Sequence, residues 1–298
     1  MTNLMYAFLK YIKINIIFRL RYMLIYFFKK EKKILKNTDE DYRYLIKLGE
    51  DGYVKINNFF DPEFINLVKL NFDECYKNNF DNFFFNKNIS SKNFQDKIDV
   101  NNVSQITNYV SLKNPILSLP QITLFLNKRL YNLIQSYFKS QIGLTSINLR
   151  KSFVNNLNDA DTNFYHKDEN SWNLLKVFIY LNDVGNNSGP FVYVKKTHKD
   201  LSLNILKNYR ISDDVINNNF SQDKIVNLTG KVGDIIIANT RGLHKGKKVI
   251  SDERNMLTFT FGIHDEYFDK KSKVKIDKSI YFNYKKIDKR FFSLAITN

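Results

Sequence analysis

The second half of the chain contains a series of short apolar segments, and this pattern restricts the fold more than any other feature. From about residue 143, segments rich in β-branched and aromatic residues alternate with turn signals. Regularly spaced short strands of this kind are typical of a sandwich, a barrel or a jelly roll. The predicted strands are Ile147–Val154, Lys176–Leu181, Phe191–Val194, Lys224–Leu228, Asp234–Ala238 and Asn255–Gly262.

The first half predicts helices that flank one sheet of this β-rich domain. Asp61 and Pro62 are a helix start signal, and apolar residues at roughly helical spacing extend the helix over 62–78. A second helix is predicted over Leu119–Phe138. Residues 79–107 have no clean period and are predicted to form a long loop. The fold class that follows is mainly β with flanking helices.

Composition bounds the class of protein. The 298 residues are 43% hydrophobic, which is enough for a sizeable core. The single cysteine, Cys75, excludes an intrachain disulfide and a structural zinc site built from cysteines. This cysteine usage predicts a reducing compartment and therefore a cytoplasmic location.

The net charge of +16 is concentrated at one end of the chain. Residues 1–36 contain nine basic residues and one acidic residue, a net charge of +8. The rest of the chain is rich in Asn, Ile and Lys, a bias typical of an AT-rich genome. No zinc finger, helix-turn-helix or aromatic RNA-binding motif accompanies the charge, so the sequence does not favour nucleic-acid binding.

The apolar N-terminal segment is interrupted by Lys10, Lys13, Arg19 and Arg21, so it is too short and too charged to span a membrane or to act as a secretory signal. Residues 1–36 either lie in a membrane interface, with peripheral membrane contact, or pack on the domain as a helix. The predicted organisation is a basic apolar helix and linker over 1–39 and one domain over 40–298, with a Lys-rich C-terminal extension.

Two of the four histidines, His166 and His198, each begin the tripeptide His-Lys-Asp. Residues i and i+2 of a strand point to the same side, so His166 and Asp168 can offer an imidazole and a carboxylate to one metal ion. Two histidines and one carboxylate on one face are the ligand set of non-haem iron(II) oxygenases. His244, which follows an apolar strand, is the predicted third ligand, because the interval from His166 leaves room for several intervening strands.

Arg254 lies ten residues after His244, and a turn would return it beside the metal on a neighbouring strand. A buried arginine is unfavourable unless it is paired. An anionic cosubstrate would provide the partner, since the planar guanidinium can grip a carboxylate with two hydrogen bonds.

Further candidates share strand faces with these residues. Lys176 and Tyr180 lie on one face and could reach the cosubstrate if that face points inward, and Asn148 and Arg150 share a face that is either a ligand contact or a solvated edge. We assign Asn148, Lys176 and Tyr180 to cosubstrate binding and Arg150 to the substrate pocket. Trp172 is either a pocket wall or a partly buried edge residue. Outside this group, His198 is expected to have a structural role and His264 to lie at the surface.

These residues belong to an ordered set of motifs: His166-Lys167-Asp168, Lys176 to Val184, Gly189-Pro190-Phe191-Val192-Tyr193, Thr197-His198-Lys199, Gly233-Asp234, His244 and Arg254. In this order the motifs resemble the phytanoyl-CoA dioxygenase family of iron(II) and 2-oxoglutarate-dependent oxygenases. The resemblance extends from about Leu48 to about Ile263. Two positions depart from the family pattern: Lys196-Thr197 replaces a Gly-Ser pair, and Gly246 replaces a hydroxyl residue.

The resemblance implies a double-stranded β-helix, a jelly roll of the cupin-like type. It implies iron(II) at His166, Asp168 and His244, the distal carboxylate of 2-oxoglutarate on Arg254, and O2 as the oxidant. The implied reaction is hydroxylation of a small-molecule or membrane-proximal substrate, with succinate and CO2 as co-products. Related halogenases lack the carboxylate, so Asp168 favours hydroxylation. The alternative is a jelly-roll binding module without catalysis, attached to a membrane through its basic N-terminus.

Overall fold

The computed structural model describes residues 38–86, 97–139, 142–159, 161–168, 174–199, 210–263 and 274. The N-terminal segment and, except for Val274, the Lys-rich C-terminal extension lie outside these residues, so their predicted roles stay predictions. None of the helices in the described ranges is long and apolar enough to cross a membrane. The described helices are α1 (Asp39–Asp51), α2 (Pro62–Asn78), α3 (Pro115–Ser118), α4 (Lys128–Phe138) and α5 (Asp213–Asn219).

The strands of the described residues form two antiparallel sheets. They are β1 (Tyr53–Ile56), β2 (Phe83–Phe84), β3 (Tyr109–Leu112), β4 (Ile142–Ser152), β5 (Leu174–Tyr180), β6 (Phe191–Val194), β7 (Ile225–Leu228), β8 (Ile235–Asn239), β9 (His244–Gly246) and β10 (Arg254–Ile263). The large sheet has the order β1-β8-β5-β10-β4-β3-β2, and the small sheet has the order β7-β6-β9.

The two sheets face each other across a shared interior. The ring of Phe178 on β5 lies 4.3 Å, centroid to centroid, from the ring of Phe191 on β6. The hydroxyl of Tyr180 on β5 donates to the carbonyl of Leu228 on β7 and accepts from the N–H of Phe191, both at 2.9 Å. Two facing antiparallel sheets of this kind are the predicted jelly roll, and the fold class is confirmed.

The large sheet is covered on both faces, because residues along each strand alternate between the two sides. On β10, Leu257, Phe259 and Phe261 pack under the helices in one apolar core with Leu48 of α1 and Phe72 of α2. The alternate residues of β10 face the small sheet, and they are Arg254, Met256, Thr258 and Thr260. The functional interior is therefore lined by the face of the sheet that lies opposite the helices.

Helix boundaries follow local capping. The predicted helix over 62–78 is confirmed as α2. The start of the helix predicted over Leu119–Phe138 is wrong: Pro120–Phe125 is a 3-10 turn. The side chain of Asn127 accepts a hydrogen bond from the N–H of Leu130 at 3.0 Å, and this cap makes α4 begin at Lys128.

Three further differences concern elements that the sequence analysis did not predict. Helix α1 forms at the start of the predicted domain, where no helix was predicted, because Thr38 caps its start and Gly52, with a φ of 87°, ends it in the left-handed conformation. The region predicted as a long loop contains β2 and short 3-10 turns in its described part. Strand β9 has only three residues, too few to give a periodic signal.

Candidate metal centre and cosubstrate site

The two predicted histidine ligands are cross-strand neighbours. His166 forms an isolated bridge with His244, the first residue of β9. The N–H of each residue donates to the carbonyl of the other at 3.0 Å. The two imidazole rings lie 4.3 Å apart, centroid to centroid, so both point into the same space.

Asp168 completes the triad from the same segment as His166. Its N–H donates to the carbonyl of Thr240 at 2.9 Å, which fixes the backbone two residues after the histidine. Its Oδ2 lies 3.8 Å from Nε2 of His244. One ligand atom from each of the three residues lies within 4.8 Å of the others. The structure therefore brings the predicted triad together.

Backbone hydrogen bonds set the tautomer of both imidazoles. Nδ1 of His166 contacts the carbonyl of Phe164 at 2.9 Å, and Nδ1 of His244 contacts the carbonyl of Gly242 at 2.9 Å. A carbonyl oxygen only accepts, so each Nδ1 must carry the hydrogen and each Nε2 keeps its lone pair for a metal.

The protonation states also suit a metal. Burial lowers the pKa of His244 to about 3 and lowers the pKa of His166, so both imidazoles are neutral near pH 7. Burial alone would raise the pKa of Asp168, but the electrostatic interactions with the side chain of His244 and with the ammonium of Lys176 outweigh burial and hold that pKa below its usual range. Two neutral imidazoles and one carboxylate form a donor set that fits iron(II).

Lys176 contacts the metal-binding carboxylate. Its Nζ lies 2.7 Å from Oδ2 of Asp168. Lys176, Phe178 and Tyr180 lie on the inward face of β5, which is the condition that the sequence analysis set for a role in cosubstrate binding. In this structure the ammonium of Lys176 pairs with Asp168, and its contact with the cosubstrate stays a prediction.

Arg254 begins β10 beside the triad. Its side chain is 5% exposed, and Nη2 donates to Oγ of Ser152 at 3.3 Å. Nε and Nη1 are buried and have no hydrogen-bond partner in the part of the chain that the structure describes. Burial lowers the pKa of Arg254 to about 10, so the guanidinium stays charged at neutral pH.

Gly246 leaves room for an anion in front of this guanidinium. It lies two residues after His244 on β9, and a Cβ atom at this position would lie 3.6 Å from both Nη atoms of Arg254. The unpartnered Nη1 and the Nη2 that contacts Ser152 both face this residue without a side chain, and they form a cradle that fits the distal carboxylate of 2-oxoglutarate. The predicted cosubstrate anchor, Arg254, therefore faces the residue that lies two positions after the metal ligand His244.

The remaining predicted residues fall in different places. Tyr180 lies beside Arg254, and its hydroxyl holds two backbone groups that join the sheets. Asn148 and Arg150 lie on the inward face of β4, opposite Thr258 and Met256 of β10, and both are half-buried. Trp172 and His264 lie outside the described residues, so the roles predicted for them stay predictions.

His198 lies in the turn after β6, away from the triad. One ring nitrogen, Nε2, contacts the carbonyl of Gly49 at 3.3 Å, which agrees with the structural role expected for it. The adjacent departures from the family pattern have local consequences. Thr197 supplies a hydroxyl that donates to the carbonyl of Val194 at 2.7 Å, whereas Lys196 takes a φ of 68°, a conformation that favours glycine.

Sequence reasoning missed four residues around the site. Ser152 contacts Arg254, and Thr240 fixes the backbone of Asp168. Tyr109 and Ser111 of β3 lie beside Arg150. Ser152 was accessible from the sequence, since it continues the alternation of Asn148 and Arg150. The others depend on which strand pairs with β4 and on the path of the chain between β8 and β9, which no local pattern encodes.

The sequence model of the phytanoyl-CoA dioxygenase (PhyH) family matches residues 48–256, which include the whole triad and Arg254. The chain belongs to this family. Phytanoyl-CoA dioxygenases use iron(II), 2-oxoglutarate and O2, and this family member is a 2-oxoglutarate-dependent oxygenase. A comparison with curated proteins finds no match.

Solved structures share the fold of this phytanoyl-CoA dioxygenase family member at low sequence identity. The epimerase SnoN from nogalamycin biosynthesis, in complex with Fe3+, alpha ketoglutarate and nogalamycin RO, is 14% identical, with a TM-score of 0.55 over 75% of this chain and 84% of SnoN. HygX from Streptomyces hygroscopicus with nickel and 2-oxoglutarate is 13% identical, with a TM-score of 0.55 over 81% of this chain and 92% of HygX. EctD from S. alaskensis with 2-oxoglutarate and 5-hydroxyectoine is 13% identical, with a TM-score of 0.53 over 79% of this chain and 81% of EctD.

Proposed function

We propose that this oxygenase hydroxylates a small-molecule substrate and releases succinate and CO2 as co-products. The observation that carries the proposal is the triad of His166, Asp168 and His244, whose ligand atoms lie within 4.8 Å of one another. Arg254 supports it with a buried, charged and incompletely paired guanidinium beside the triad. When bound, iron(II) and 2-oxoglutarate supply the activation of O2 that oxidises a C–H bond.

The side chains of this protein bind and orient these groups. The Nε2 atoms of His166 and His244 would hold the metal from one side, and the carboxylate of Asp168 would occupy a third position. Arg254 would fix the far end of 2-oxoglutarate with a bidentate pair. The ammonium of Lys176 neutralises one carboxylate oxygen of Asp168 and keeps that side chain turned toward the metal position.

The related structures support a small-molecule substrate and show why the type of oxidation needs a direct test. SnoN is an epimerase crystallised with nogalamycin RO, and EctD was crystallised with 5-hydroxyectoine. An epimerase and a protein that binds a hydroxylated compound therefore share this fold. We favour hydroxylation because Asp168 occupies the carboxylate position that related halogenases leave empty.

The test is to incubate the iron(II)-loaded protein with 2-oxoglutarate, a small-molecule library and 18O2, and to follow succinate and substrate mass together. Hydroxylation predicts succinate and a product that gains the mass of one 18O atom. A product that loses two hydrogens, or that keeps its mass with inverted stereochemistry, would reject hydroxylation but keep the oxygenase chemistry. Failure to form succinate with any compound, together with no iron binding, would reject both and favour a binding module.

We also propose that the protein works in the cytoplasm and contacts a membrane through residues 1–36. The single cysteine, Cys75, is buried and free, in keeping with a reducing compartment. The net charge of +8 over residues 1–36 would attract anionic headgroups. Fractionation of cells that express the full chain tests both statements, and secretion of the protein would reject the first.

A further inference from the structure

We propose that Arg150 and Ser111 form a second anion site inside the jelly roll, which binds a carboxylate or phosphate group of the primary substrate. This inference rests on the proposed function, because it assigns Arg254 to 2-oxoglutarate. It adds the class of substrate, an anionic small molecule.

Strand register places both residues on the inward face of the large sheet. Ser111 on β3 is directly paired with Arg150 on β4, so their side chains are cross-strand neighbours. The alternate residues of β3, Val110 and Leu112, pack in the apolar core under the helices. Because side chains alternate along a strand, Ser111 faces the interior between the sheets.

One polar side-chain atom of each residue in this pair lacks a hydrogen-bond partner. Ser111 is 0% exposed, and its Oγ has no hydrogen-bond partner among the described residues. Nε of Arg150 is also buried without a partner, and no ion pair among the described residues involves this guanidinium. The guanidinium stacks on the ring of Tyr109, with Cζ 3.8 Å from the ring centroid. An anion would supply the missing acceptor for the buried Nε of this stacked guanidinium and a partner for the buried hydroxyl of Ser111.

The position of Arg150 separates it from the cosubstrate anchor. Arg254 pairs with Ser152, and Arg150 lies two residues before Ser152 on β4. The two arginines are therefore diagonal neighbours on adjacent strands, with roughly 7–8 Å between their backbones. Arg150 pairs with Met256 of β10, and Lys176 pairs with Thr260 four residues further along the same strand. A group bound by Arg150 would therefore lie between Arg254, which is assigned to the cosubstrate, and Lys176, which contacts Asp168.

The charges of the interior favour an anionic substrate. With iron(II) and 2-oxoglutarate bound, the metal and Arg254 are balanced by Asp168 and the two carboxylates of 2-oxoglutarate. The charge of Arg150 has no counterpart in that set, and neither does the charge of Lys176, since Asp168 is already counted. Arg150 and Lys176 are half-buried, and a partly desolvated cation without a counter-ion is unfavourable, so a substrate anion would reduce this penalty.

The experiment measures anion binding to the anaerobic complex with iron(II) and 2-oxoglutarate, so that Arg254 is already occupied. Isothermal titration calorimetry with butyrate, inorganic phosphate and the neutral analogue butyramide reports binding without turnover. The variants are Arg150→Met and Ser111→Ala. The control is Lys245→Met, which removes a buried lysine whose Nζ lies 4.9 Å from the ring centroid of Tyr165 and which pairs with Asp213 on the outer side of the small sheet.

We expect the wild type to bind butyrate or phosphate and not to bind butyramide. The anion with the higher affinity identifies the substrate group as a carboxylate or a phosphate. Arg150→Met should weaken the anion at least tenfold and Ser111→Ala about threefold, with Lys245→Met unchanged. The charge-transfer band of iron(II) and 2-oxoglutarate should persist in all three variants. If Arg150→Met loses the circular dichroism spectrum of the wild type, Arg150→Lys replaces it, with a smaller loss expected because lysine keeps the charge but not the planar fork.

Two results would overturn the inference. Anion binding that is equal in the wild type and in the Arg150 variant, or absent from the wild type, excludes the site. A loss of 2-oxoglutarate affinity in Arg150→Met without loss of anion binding would instead assign Arg150 to the cosubstrate. Absence of the charge-transfer band from the wild type is a separate result, because it rejects the proposed function itself.

Discussion

Replacing Arg254 with methionine separates binding from stability. Burial lowers the pKa of Arg254 well below its usual value, to about 10. Since one pKa unit corresponds to about 1.4 kcal/mol, the protein without cosubstrate is destabilised by about 3 kcal/mol to keep this charge inside. The lowered pKa of a cation makes this penalty complete at every pH below about 10, including neutral pH, and it disappears only as the pH rises further. Arg254→Met removes the charge and keeps much of the apolar volume.

The expected result is an opposite change in two measurements. Without 2-oxoglutarate, the variant should have a Tm equal to that of the wild type or several degrees higher, because 1 kcal/mol shifts Tm by about 2–4 °C in a domain of this size. Its Kd for 2-oxoglutarate should rise at least about 30-fold, since removing one partner of a buried charge pair costs about 2–5 kcal/mol. Differential scanning fluorimetry gives the first value, and anaerobic titration of the charge-transfer band gives the second.

Ser152→Ala is the matched control, because it removes the hydrogen bond to Arg254 and leaves the guanidinium charged. It should change the Kd for 2-oxoglutarate by only a few-fold. The reasoning is refuted if Arg254→Met binds 2-oxoglutarate like the wild type. It is also refuted if the variant without cosubstrate is several degrees less stable, since the buried charge would then be compensated by partners other than the cosubstrate.

Further predictions concern the metal, the cradle, the strained turn and the N-terminus. Asp168→Ala should weaken iron(II) binding and abolish succinate formation, and full succinate formation would contradict the assigned triad. Gly246→Leu should raise the Kd for 2-oxoglutarate at least tenfold with iron binding retained, because a side chain there enters the space within 3.6 Å of the guanidinium. Lys196→Gly should raise the free energy of unfolding in urea by about 1 kcal/mol, since glycine accepts the φ of 68° without a steric penalty. Deletion of residues 1–36 should abolish flotation with anionic liposomes and leave turnover of a soluble substrate intact, whereas unchanged flotation would exclude the membrane contact.

Much of the site was predictable because its chemistry is encoded in short, local signals. The alternation of His166 and Asp168 and the buried strand before His244 predict ligands on one face, and the resemblance to the family adds their order. Arg254 follows from the same reasoning, since a lone arginine at the head of an apolar strand needs an anion. None of these steps depends on the pairing of distant strands.

The rest depends on long-range register or on weak local signals. Nothing near Arg150 in the sequence indicates that Tyr109 and Ser111 lie beside it, because β3 and β4 are separated by two helices and a 3-10 turn. The break before α4 was accessible from Asn127, a good N-cap residue inside an apolar run. Helix α1 was missed because its N-cap at Thr38 follows a polar stretch, which also fits a linker.

The pairing of His166 with His244 has a consequence for how the metal centre can be lost. Both histidines belong to one isolated β-bridge, and a backbone carbonyl two residues before each histidine orients its imidazole. A slip of one residue at this bridge would turn one ring toward solvent, since successive side chains alternate in direction. Affinity for the ion should therefore disappear in one step, together with the local backbone pairing, and hydrogen exchange at these two amides would record that event.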